Sequence, residues 1–342
     1  MLDEKDLVLV HALQEAPRAS WAVLASVLGT DARTLVRRYA RLRDVGLLRV
    51  MATSGPRLLE RQLFAHLRLR TGPGRVAPVA EELARWPQAS TIRLTDGSTQ
   101  IYALLVGSDH TRLVETAQQR VAELPDVREA EINTVLLAGD VGRAARLDAL
   151  SPQQIGRLRG QQTVGEGQST QPVRLSAEDF ELIRLLLEDG RTEISELAAR
   201  LGREASSVSR RVARLRNDGW LDIITLVPDR AWSSPLRALL WCTVAPQDVD
   251  ALLRTVSGRP WVGSLTVTTG RANVLVTVNL MTRSQLPGIQ AELSTLCPSL
   301  RLLEAQLSVR AVKLHMRLLA AGDRLSDPVS DPFWDIRHDF LP

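Results

Sequence analysis

Hydrophobic residues recur at helical spacing in three stretches near the start of the chain, at positions 2–14, 22–29 and 31–43. In the third stretch Leu35, Tyr39 and Leu42 fall on one face, which predicts an amphipathic helix. Gly29 ends the second stretch, and glycine readily adopts the left-handed conformation that closes a helix. The pattern therefore predicts a helix, a tight turn and a further helix, with one more helix ahead of them.

The same pattern returns 173 residues later, in register and without a gap. Matched positions include Arg18 and Arg191, Gly29 and Gly202, Arg37 and Arg210, Leu42 and Leu215, Gly97 and Gly270, and Glu131 and Glu304. The repeat unit is about half of the chain, which is larger than the repeats of solenoid proteins. The chain therefore carries one multi-domain module twice.

The polar faces of the two basic helices, 31–43 and 204–216, carry forked cations and short hydroxyl groups. Such groups suit phosphate oxygens and base edges, so we predict that these faces bind DNA. The candidates are Arg33, Thr34, Arg37, Arg38 and Arg41 in the first copy, and Ser206, Ser207, Ser209, Arg210, Arg211 and Arg214 in the second. A solvated basic face without a ligand is the alternative.

After each helical region the hydrophobic period changes to two, which is typical of strands. The order in both copies is βαββαβ, an antiparallel sheet with helices on one face, as in ferredoxin-like domains. The predicted fold class is α+β, with two helix-turn-helix domains alternating with two ferredoxin-like domains. The expected divisions are 1–50, 57–138, a polar linker at 139–172 that includes a short helix, 173–222, 234–313 and a tail at 314–342.

Alternation on the predicted strand that holds Leu239, Trp241 and Thr243 indicates that the second face of the sheet is also partly apolar. Such a face needs a partner, and the two copies in one chain can cover each other. We therefore expect an intrachain pseudo-dimer, sheet against sheet. A homo-oligomer of whole chains is the competing arrangement.

Composition adds little to this picture. The 342 residues are 44% hydrophobic and 24% charged, with a net charge of +4, so the basic character is local rather than global. Cys242 and Cys297 lack metal-site spacing, and no metal or cofactor is expected. No apolar run reaches the roughly 20 residues of a membrane-spanning helix, so we expect a cytoplasmic protein without a membrane partner.

The helical stretches resemble a known family. They read LDEKDLVLVHAL, LASVLG and RRYARLRDVGLL, then LSAEDFELIRLL, ELAARLG and RRVARLRNDGWL, and resemble the winged helix-turn-helix of the leucine-responsive regulator/AsnC family. The segments after them resemble the effector domain of that family, so the resemblance runs from residue 2 to about 313, apart from the linker. It implies a tandem transcriptional regulator with double-stranded DNA as partner. Because Arg33-Thr34 and Ser206-Ser207 differ, we expect an imperfectly palindromic operator.

The resemblance also implies a small effector, usually an amino acid, near the turn between the two middle strands of each effector domain. The family has Gly-x-x-Asp there, whereas this chain has an amide in place of the acid at both positions. The implied ligand-binding residues are Asp96, Gly97 and Gln100, and Thr269, Gly270 and Asn273. The alternative is that the two glycines only permit a tight turn.

Two other classes of function stay open. The frame also resembles the fused siroheme decarboxylases, which need His, Tyr and Arg groups around a tetrapyrrole. The five histidines here are scattered and no catalytic set is evident, so we expect no enzyme. A module with degenerate DNA binding is the third class, because Glu204 replaces Asp31 where a helix cap is needed and places negative charge near phosphates.

Overall fold

A computed structural model describes residues 2–138, 149–160, 175–231, 236–320 and 323–328. In the first half of the chain the elements are α1 (Glu4–Glu15), α2 (Trp21–Leu28), α3 (Ala32–Asp44), β1 (Arg49–Ser54), α4 (Pro56–Leu59), β2 (Leu63–Thr71), α5 (Val76–Ala84), β3 (Ala89–Thr95), β4 (Ile101–Gly107), α6 (His110–Glu123), β5 (Val127–Ala138) and α7 (Pro152–Arg159). In the second half they are α8 (Ala177–Glu188), α9 (Ile194–Leu201), α10 (Ala205–Asn217), β6 (Leu221–Leu226), β7 (Leu236–Thr243), α11 (Val249–Val256), β8 (Val262–Thr268), β9 (Val274–Leu280), α12 (Leu286–Leu296), β10 (Arg301–Leu314), β11 (Arg317–Ala320) and β12 (Arg324–Pro328).

These elements confirm the predicted α+β fold class, because each half has a set of three helices, α1–α3 or α8–α10, and later a βαββαβ series. The chain divides into two compact units, and each unit takes segments from both halves. The helix-turn-helix unit contains the described residues of 2–62, 147–228 and 324–342, and the sheet unit those of 63–146 and 229–323. The linear domain bounds expected from the sequence stay predictions. The polar part of the linker at 161–174 and the end of the tail, with Phe333 and Trp334, lie outside the described residues.

In the helix-turn-helix unit, each set of three helices is defined by capping residues at its turns. Asp3 and Ser176 begin α1 and α8 with capping boxes, in which the side chain of the cap and that of the third helical residue bond each other's backbone amides. Gly29 and Gly202 end α2 and α9 with φ angles of 62° and 64°, in the left-handed region. The predicted helix, tight turn and helix are therefore present in both halves.

The two sets of helices are joined by a two-stranded antiparallel sheet of β1 and β6. The register runs from Arg49 opposite Leu226 to Ser54 opposite Leu221. The sequence indicated only an extended segment in the second copy, and β1 was missed. Its partner lies far away in sequence, so no local pattern marks the pairing.

Two further segments pack on the first set of helices in this unit. Helix α7 contacts α1 and α2, with Leu158 fully buried and an ion pair of 2.7 Å between Arg159 and Glu15. This helix is the short one expected inside the linker. In β12 the amide of Leu325 donates to the carbonyl of Gly46 at 2.9 Å, so the first part of the tail is docked on the end of α3.

The sheet unit contains two four-stranded antiparallel sheets, ordered β3-β4-β2-β5 and β8-β9-β7-β10. The long strands β5 and β10 connect them. The first part of β10 pairs with β7 and its later part with β3, while the first part of β5 pairs with β2 and its end with β8. The eight strands thereby form a closed ring in which each half of the chain supplies four. This is the sheet-against-sheet pairing of halves that the sequence predicted.

Each sheet has a helix-covered face and an inner face. The helix-covered faces form two separate apolar cores, one for each half. The inner faces meet in a smaller cluster around Tyr102, Leu239, Trp241 and Leu275. The partly apolar second face expected from the sequence is therefore covered by the other half of the chain.

The two inner faces are chemically different. At three positions that are equivalent by the 173-residue repeat, the first half carries His66, Arg68 and Tyr102 where the second half carries Leu239, Trp241 and Leu275. Polar and apolar residues therefore face each other across the seam. Two copies of the first half would bring the same polar groups together instead.

Arg68, on the polar inner face of the first half, has partners from both halves of the chain. Its guanidinium lies 4.4 Å from the ring centroid of Trp241 and pairs with Glu131 at 3.0 Å and with Glu304. Glu131 and Glu304 are equivalent residues of the two halves, so one cation joins both long strands. Because a buried charge is costly unless it is paired, these contacts tie Arg68 to the assembled seam.

The turn between β8 and β9 is fitted closely to β5 of the other half. Gly270 has a φ of 101°, and a Cβ built on it would lie 2.0 Å from Nδ2 of Asn133. The equivalent Gly97 meets Gln306 in the same way, at 2.3 Å from Nε2. A Cβ at either position would displace the side chain of Gln306 or Asn133, and at Gly270 it would also strain the backbone.

We predict that Gly270→Ala destabilises the sheet unit by about 1–3 kcal/mol, because the new methyl group both clashes with Asn133 and strains the backbone. Gly258→Ala is the matched control, since an added Cβ there meets nothing within 4 Å. The measurement is the urea midpoint followed by intrinsic tryptophan fluorescence. Equal midpoints for the two variants would contradict the prediction.

Candidate nucleic-acid interface

The outward face of α3 begins at a well-formed cap. The carboxylate of Asp31 accepts a hydrogen bond of 3.0 Å from the amide of Thr34, which fixes the first turn. Arg33 and Arg37 are exposed on this face, and Thr34 is half-buried. Among the described residues, neither Arg33 nor Arg37 forms an ion pair, so both guanidinium groups are available to an anionic ligand.

The equivalent face of α10 is less basic and richer in hydroxyl groups. Ser206, Ser209 and Arg210 are exposed, while Ser207 is half-buried. Arg210 only donates a long hydrogen bond of 3.4 Å to the carbonyl of Ser206, within its own helix. The cap differs as well, because Glu204 makes no side-chain hydrogen bond to the helix, as expected for a residue that caps poorly.

The remaining candidate arginines of α3 are bound to α1. Asp6 has a side chain that is 1% exposed, and it lies 2.7 Å from Arg38 and 2.5 Å from Arg41. Arg38 also contacts Asp3 at 2.8 Å. Both arginines thus attach the basic helix to the helix that precedes the turn, although half of the Arg41 side chain stays exposed.

The second copy repeats this arrangement. Asp179 is equivalent to Asp6 and lies 3.1 Å from Arg211 and 2.6 Å from Arg214. Burial raises the pKa of Asp179, but hydrogen bonds from Ser176 and Arg214 outweigh burial and hold that pKa below its usual value. The carboxylate is therefore ionised at neutral pH and serves both the capping box and the two arginines.

Sequence reasoning assigned all of these arginines to DNA and did not assign a role to the two aspartates. The available signal was the repeat itself, because Asp6 and Asp179 are also 173 residues apart. A buried carboxylate at the same place in both copies requires a cation from the packed helix. The structure thus separates arginines that fix each basic helix from arginines that face outward.

The predicted effector turns make hydrogen bonds within the sheet unit. Asp96 accepts from the amide of Leu307 at 2.6 Å, and Gln100 accepts from the amide of Thr71 at 3.0 Å. In the other turn, Thr269 accepts from the amide of Thr134 at 2.9 Å. Asn273 bonds both backbone groups of Val244, at 2.9 and 2.8 Å. These side chains therefore have structural roles at the joints between strands.

Each turn nevertheless borders an open cleft. Gln100 lines one of about 380 Å³, and Thr269 lines another of about 490 Å³ between α6 and β5. The larger cleft has an apolar floor that includes Val121 and Ile132, and polar groups at its rim that include His110. This combination suits a small molecule with an apolar body and a polar end.

Comparison with known proteins agrees with this geometry. Residues 2–43 match the AsnC-type helix-turn-helix domain, and residues 178–222 match a winged helix-turn-helix DNA-binding model. PH0140 of Pyrococcus horikoshii, described as an uncharacterized HTH-type transcriptional regulator, is 24% identical over 131 residues, which is 38% of this chain and 83% of that protein. The HTH-type transcriptional regulator LrpA of Pyrococcus abyssi is 22% identical over 128 residues, or 37% of this chain and 91% of the relative.

A solved structure covers both modules. The siroheme decarboxylase NirDL aligns over 91% of this chain and 93% of its own, with a TM-score of 0.59 and 15% sequence identity, so the likeness is one of fold. The folded chain is thus a tandem winged helix-turn-helix protein with paired ferredoxin-like domains. Its first helix-turn-helix domain matches the AsnC-type model, and its relatives are HTH-type transcriptional regulators that include LrpA, so each module is similar to proteins of the leucine-responsive regulator/AsnC family.

Two negative findings apply to the described part of the chain. No helix there is long and apolar enough to cross a membrane. Over the same residues, no group of three or more His, Cys, Asp or Glu side chains is arranged to hold a metal ion.

We predict that Glu204→Asp stabilises the helix-turn-helix unit by about 0.5–1 kcal/mol, because the shorter carboxylate can reach the amide of Ser207 as Asp31 reaches Thr34. The reciprocal variant Asp31→Glu should lose a similar amount. The measurement is the thermal midpoint followed by circular dichroism at 222 nm. If neither variant shifts the midpoint, the cap does not distinguish the two copies.

Proposed function

We propose that the chain is a DNA-binding transcriptional regulator that places α3 and α10 in major grooves of one pseudo-palindromic operator. The observation that carries this proposal is the doubled set of outward-facing polar side chains on two equivalent helices, α3 and α10. Each helix follows a tight turn closed by a left-handed glycine, as a recognition helix does. The similarity of both modules to HTH-type transcriptional regulators supports the same class of function.

The division of arginines refines the proposal. Arg33, Arg37 and Arg210 face outward without an ion pair among the described residues, so they are the first candidates for phosphate or base contacts. Arg41 and Arg214 are shared between a buried aspartate and the surface, and reach phosphates only with their exposed portions. We therefore expect fewer phosphate contacts than the number of basic residues implies.

The two copies should not contribute equally. The second copy has no side-chain cap on α10, because Glu204 makes no side-chain hydrogen bond to the helix where Asp31 caps α3. Serines replace Arg33 and Thr34 at the start of that helix. We expect α10 to bind its half-site more weakly and to prefer a different base sequence.

A small effector, such as an amino acid, is the second part of the proposal. The cleft beside Thr269 supports it, since the cleft lies where the turn of one half meets α6 and β5 of the other. A ligand that contacts both halves can bias their packing and hence the affinity for DNA. The effector part can fail while the DNA-binding part stands.

The test is genome-wide recovery of DNA bound by the full chain, with and without candidate amino acids. The control is the double variant Arg37→Ala with Arg210→Ala, which keeps the ion pairs to Asp6 and Asp179. Enriched sites that the control loses support a regulator, and a change on adding amino acids supports an effector. If no site is enriched, the chain is an interaction module with degenerate DNA binding.

The enzymatic alternative is less well supported by the sheet unit. His66 and Tyr102 are neighbours, but His66 is 2% exposed and both of its ring nitrogens are engaged, by Tyr102 at 3.0 Å and by Thr266 at 2.9 Å. Burial also lowers the pKa of His66 to about 3, so it is neutral and poorly placed to donate a proton. A shift of the Soret absorbance on adding siroheme would reopen this alternative.

We predict that Arg37→Ala and Arg210→Ala each reduce the slope of log affinity against log salt by about 0.9, because each removes one phosphate contact. Affinity for specific and scrambled duplexes should fall alike. The measurement is fluorescence anisotropy at several salt concentrations. Arg184→Ala, which only removes ion pairs to Glu181 and Glu188 on α8, is the control and should leave the slope unchanged.

We predict that Arg33→Ala relaxes base preference in the half-site bound by α3, and that Ser207→Ala does so in the other half-site. The discrimination lost should be about 1–3 kcal/mol for each contacted base pair. Each variant serves as the control for the other. Selection of operators from random duplexes measures the effect, and recovery of perfectly symmetric operators by the wild type would contradict the prediction.

A further inference from the structure

The two helix-turn-helix sets exchange a reciprocal pair of arginines. Arg18, in the loop between α1 and α2, donates to the carbonyls of Gly190 and Thr192 in the loop between α8 and α9, the latter at 3.2 Å. Both terminal nitrogens of the guanidinium, Nη1 and Nη2, are used, one for each carbonyl. A single side chain thus spans two peptide groups of the other copy.

Arg191, which is equivalent to Arg18, makes the matching pair of hydrogen bonds in the other direction. Arg191 donates to the carbonyls of Pro17 at 2.5 Å and of Ala19 at 2.9 Å. All donors and acceptors in the two sets are related by the same 173 residues. The hydrogen bonds are therefore related by a pseudo-twofold axis. We call Arg18 and Arg191 together the arginine clamp.

The clamp also contacts the helices that carry the turn. The guanidinium of Arg191 lies 4.0 Å from the ring centroid of Trp21, the first residue of α2, and 5.7 Å from that of Tyr39 on α3. Burial lowers the pKa of both arginines, and a partly desolvated guanidinium gains from aromatic and carbonyl partners. A shift of the clamp would therefore change the packing around Tyr39 on α3.

A second junction lies beside the clamp. The amide of Gly190 donates to the carbonyl of Val50 in β1 at 2.7 Å, and a Cβ on Gly190 would lie 2.9 Å from the amide nitrogen of Met51. The loop that the clamp holds is thereby pressed against the β1–β6 ladder. A strand pair alone can twist, whereas a strand pair with a reciprocal clamp resists rotation of one copy against the other.

We infer that Arg18 and Arg191 are positioning residues that fix the separation and relative orientation of α3 and α10, and so determine which half-site spacing the chain accepts. The inference rests on the proposed DNA-binding function, because only bound DNA makes the spacing visible as specificity. The planar fork of arginine suits this contact, because its two terminal nitrogens each donate to a different carbonyl.

The coupling between the helices can be tested without DNA. Val36 and Ser209 are equivalent, exposed positions on α3 and α10, and spin labels on V36C and S209C report the distance between them. We expect a narrow distance distribution in the otherwise wild-type chain. The double substitution Arg18→Met with Arg191→Met should broaden it at least about twofold, because Met keeps an unbranched stem but has no donors.

The consequence for specificity is tested with duplexes that carry both selected half-sites. The spacer is varied one base pair at a time through one helical turn of about 10.5 base pairs. We expect the wild type to lose at least about tenfold in affinity when the spacing departs by half a turn, which moves one half-site to the other side of the duplex. In the double Met variant the same change should cost about threefold or less, with unchanged base preference within each half-site.

The control is Arg184→Met, which removes a cation from the same unit but no contact of the clamp. If the double variant does not fold, Arg18→Met alone is used, since it retains Arg191 on Trp21. An unchanged distance distribution and spacing profile in the Met variants would overturn the inference. A wild type that binds DNA equally at all spacings would also overturn the inference. The absence of any DNA binding would overturn the proposed function, and the distance measurement would then decide whether the two arginines couple α3 to α10.

Discussion

The open strand edges of each half of the chain are the constraint on which the rest of the structure depends. A strand edge presents unpaired amide and carbonyl groups, and these must find partners or face water. In the sheet unit the long strands β5 and β10 extend beyond their own sheets and complete the other one. In the helix-turn-helix unit β1 and β6 pair with each other. Because every one of these pairings joins the two halves, neither half has a complete set of backbone partners without the other.

The seam that this pairing creates is asymmetric. The repeat makes the backbones of the halves equivalent, yet the inner face of the first half carries Arg68 where the second carries Trp241. Stacking of the guanidinium on the indole and its ion pairs to Glu131 and Glu304 need one residue of each kind. Two copies of the first face would bring two Arg68 guanidinium groups together without an indole to stack on, which is unfavourable at low dielectric. The seam therefore favours pairing of unlike halves, as fusion in one chain provides.

The two basic helices illustrate how one residue type serves two purposes. Arg38 and Arg211 stand at equivalent positions and are held by the buried carboxylates of Asp6 and Asp179, so they orient the helices. Arg37 differs from Arg38 by one position, which is about 100° around the helix, and it points outward. Orientation and contact with a ligand are thus divided between neighbouring arginines, and a fixed orientation is what gives the outward residues a defined target.

The sequence by itself determined the elements with short-range signals. Helical periodicity, the cap at Asp31 and the glycines that end α2 and α9 define both helix-turn-helix sets, and the change of period defines the βαββαβ order. Only the tertiary structure decided which arginines face outward and that Arg18 and Arg191 bind loops of the opposite copy. The first feature depends on ion pairs that span 32 or 35 positions, and the second on hydrogen bonds that span 172 or 174 positions. Local periodicity carries no information about such contacts. The role of a charged side chain depends on the partner that folding brings to it, which composition and spacing alone do not specify.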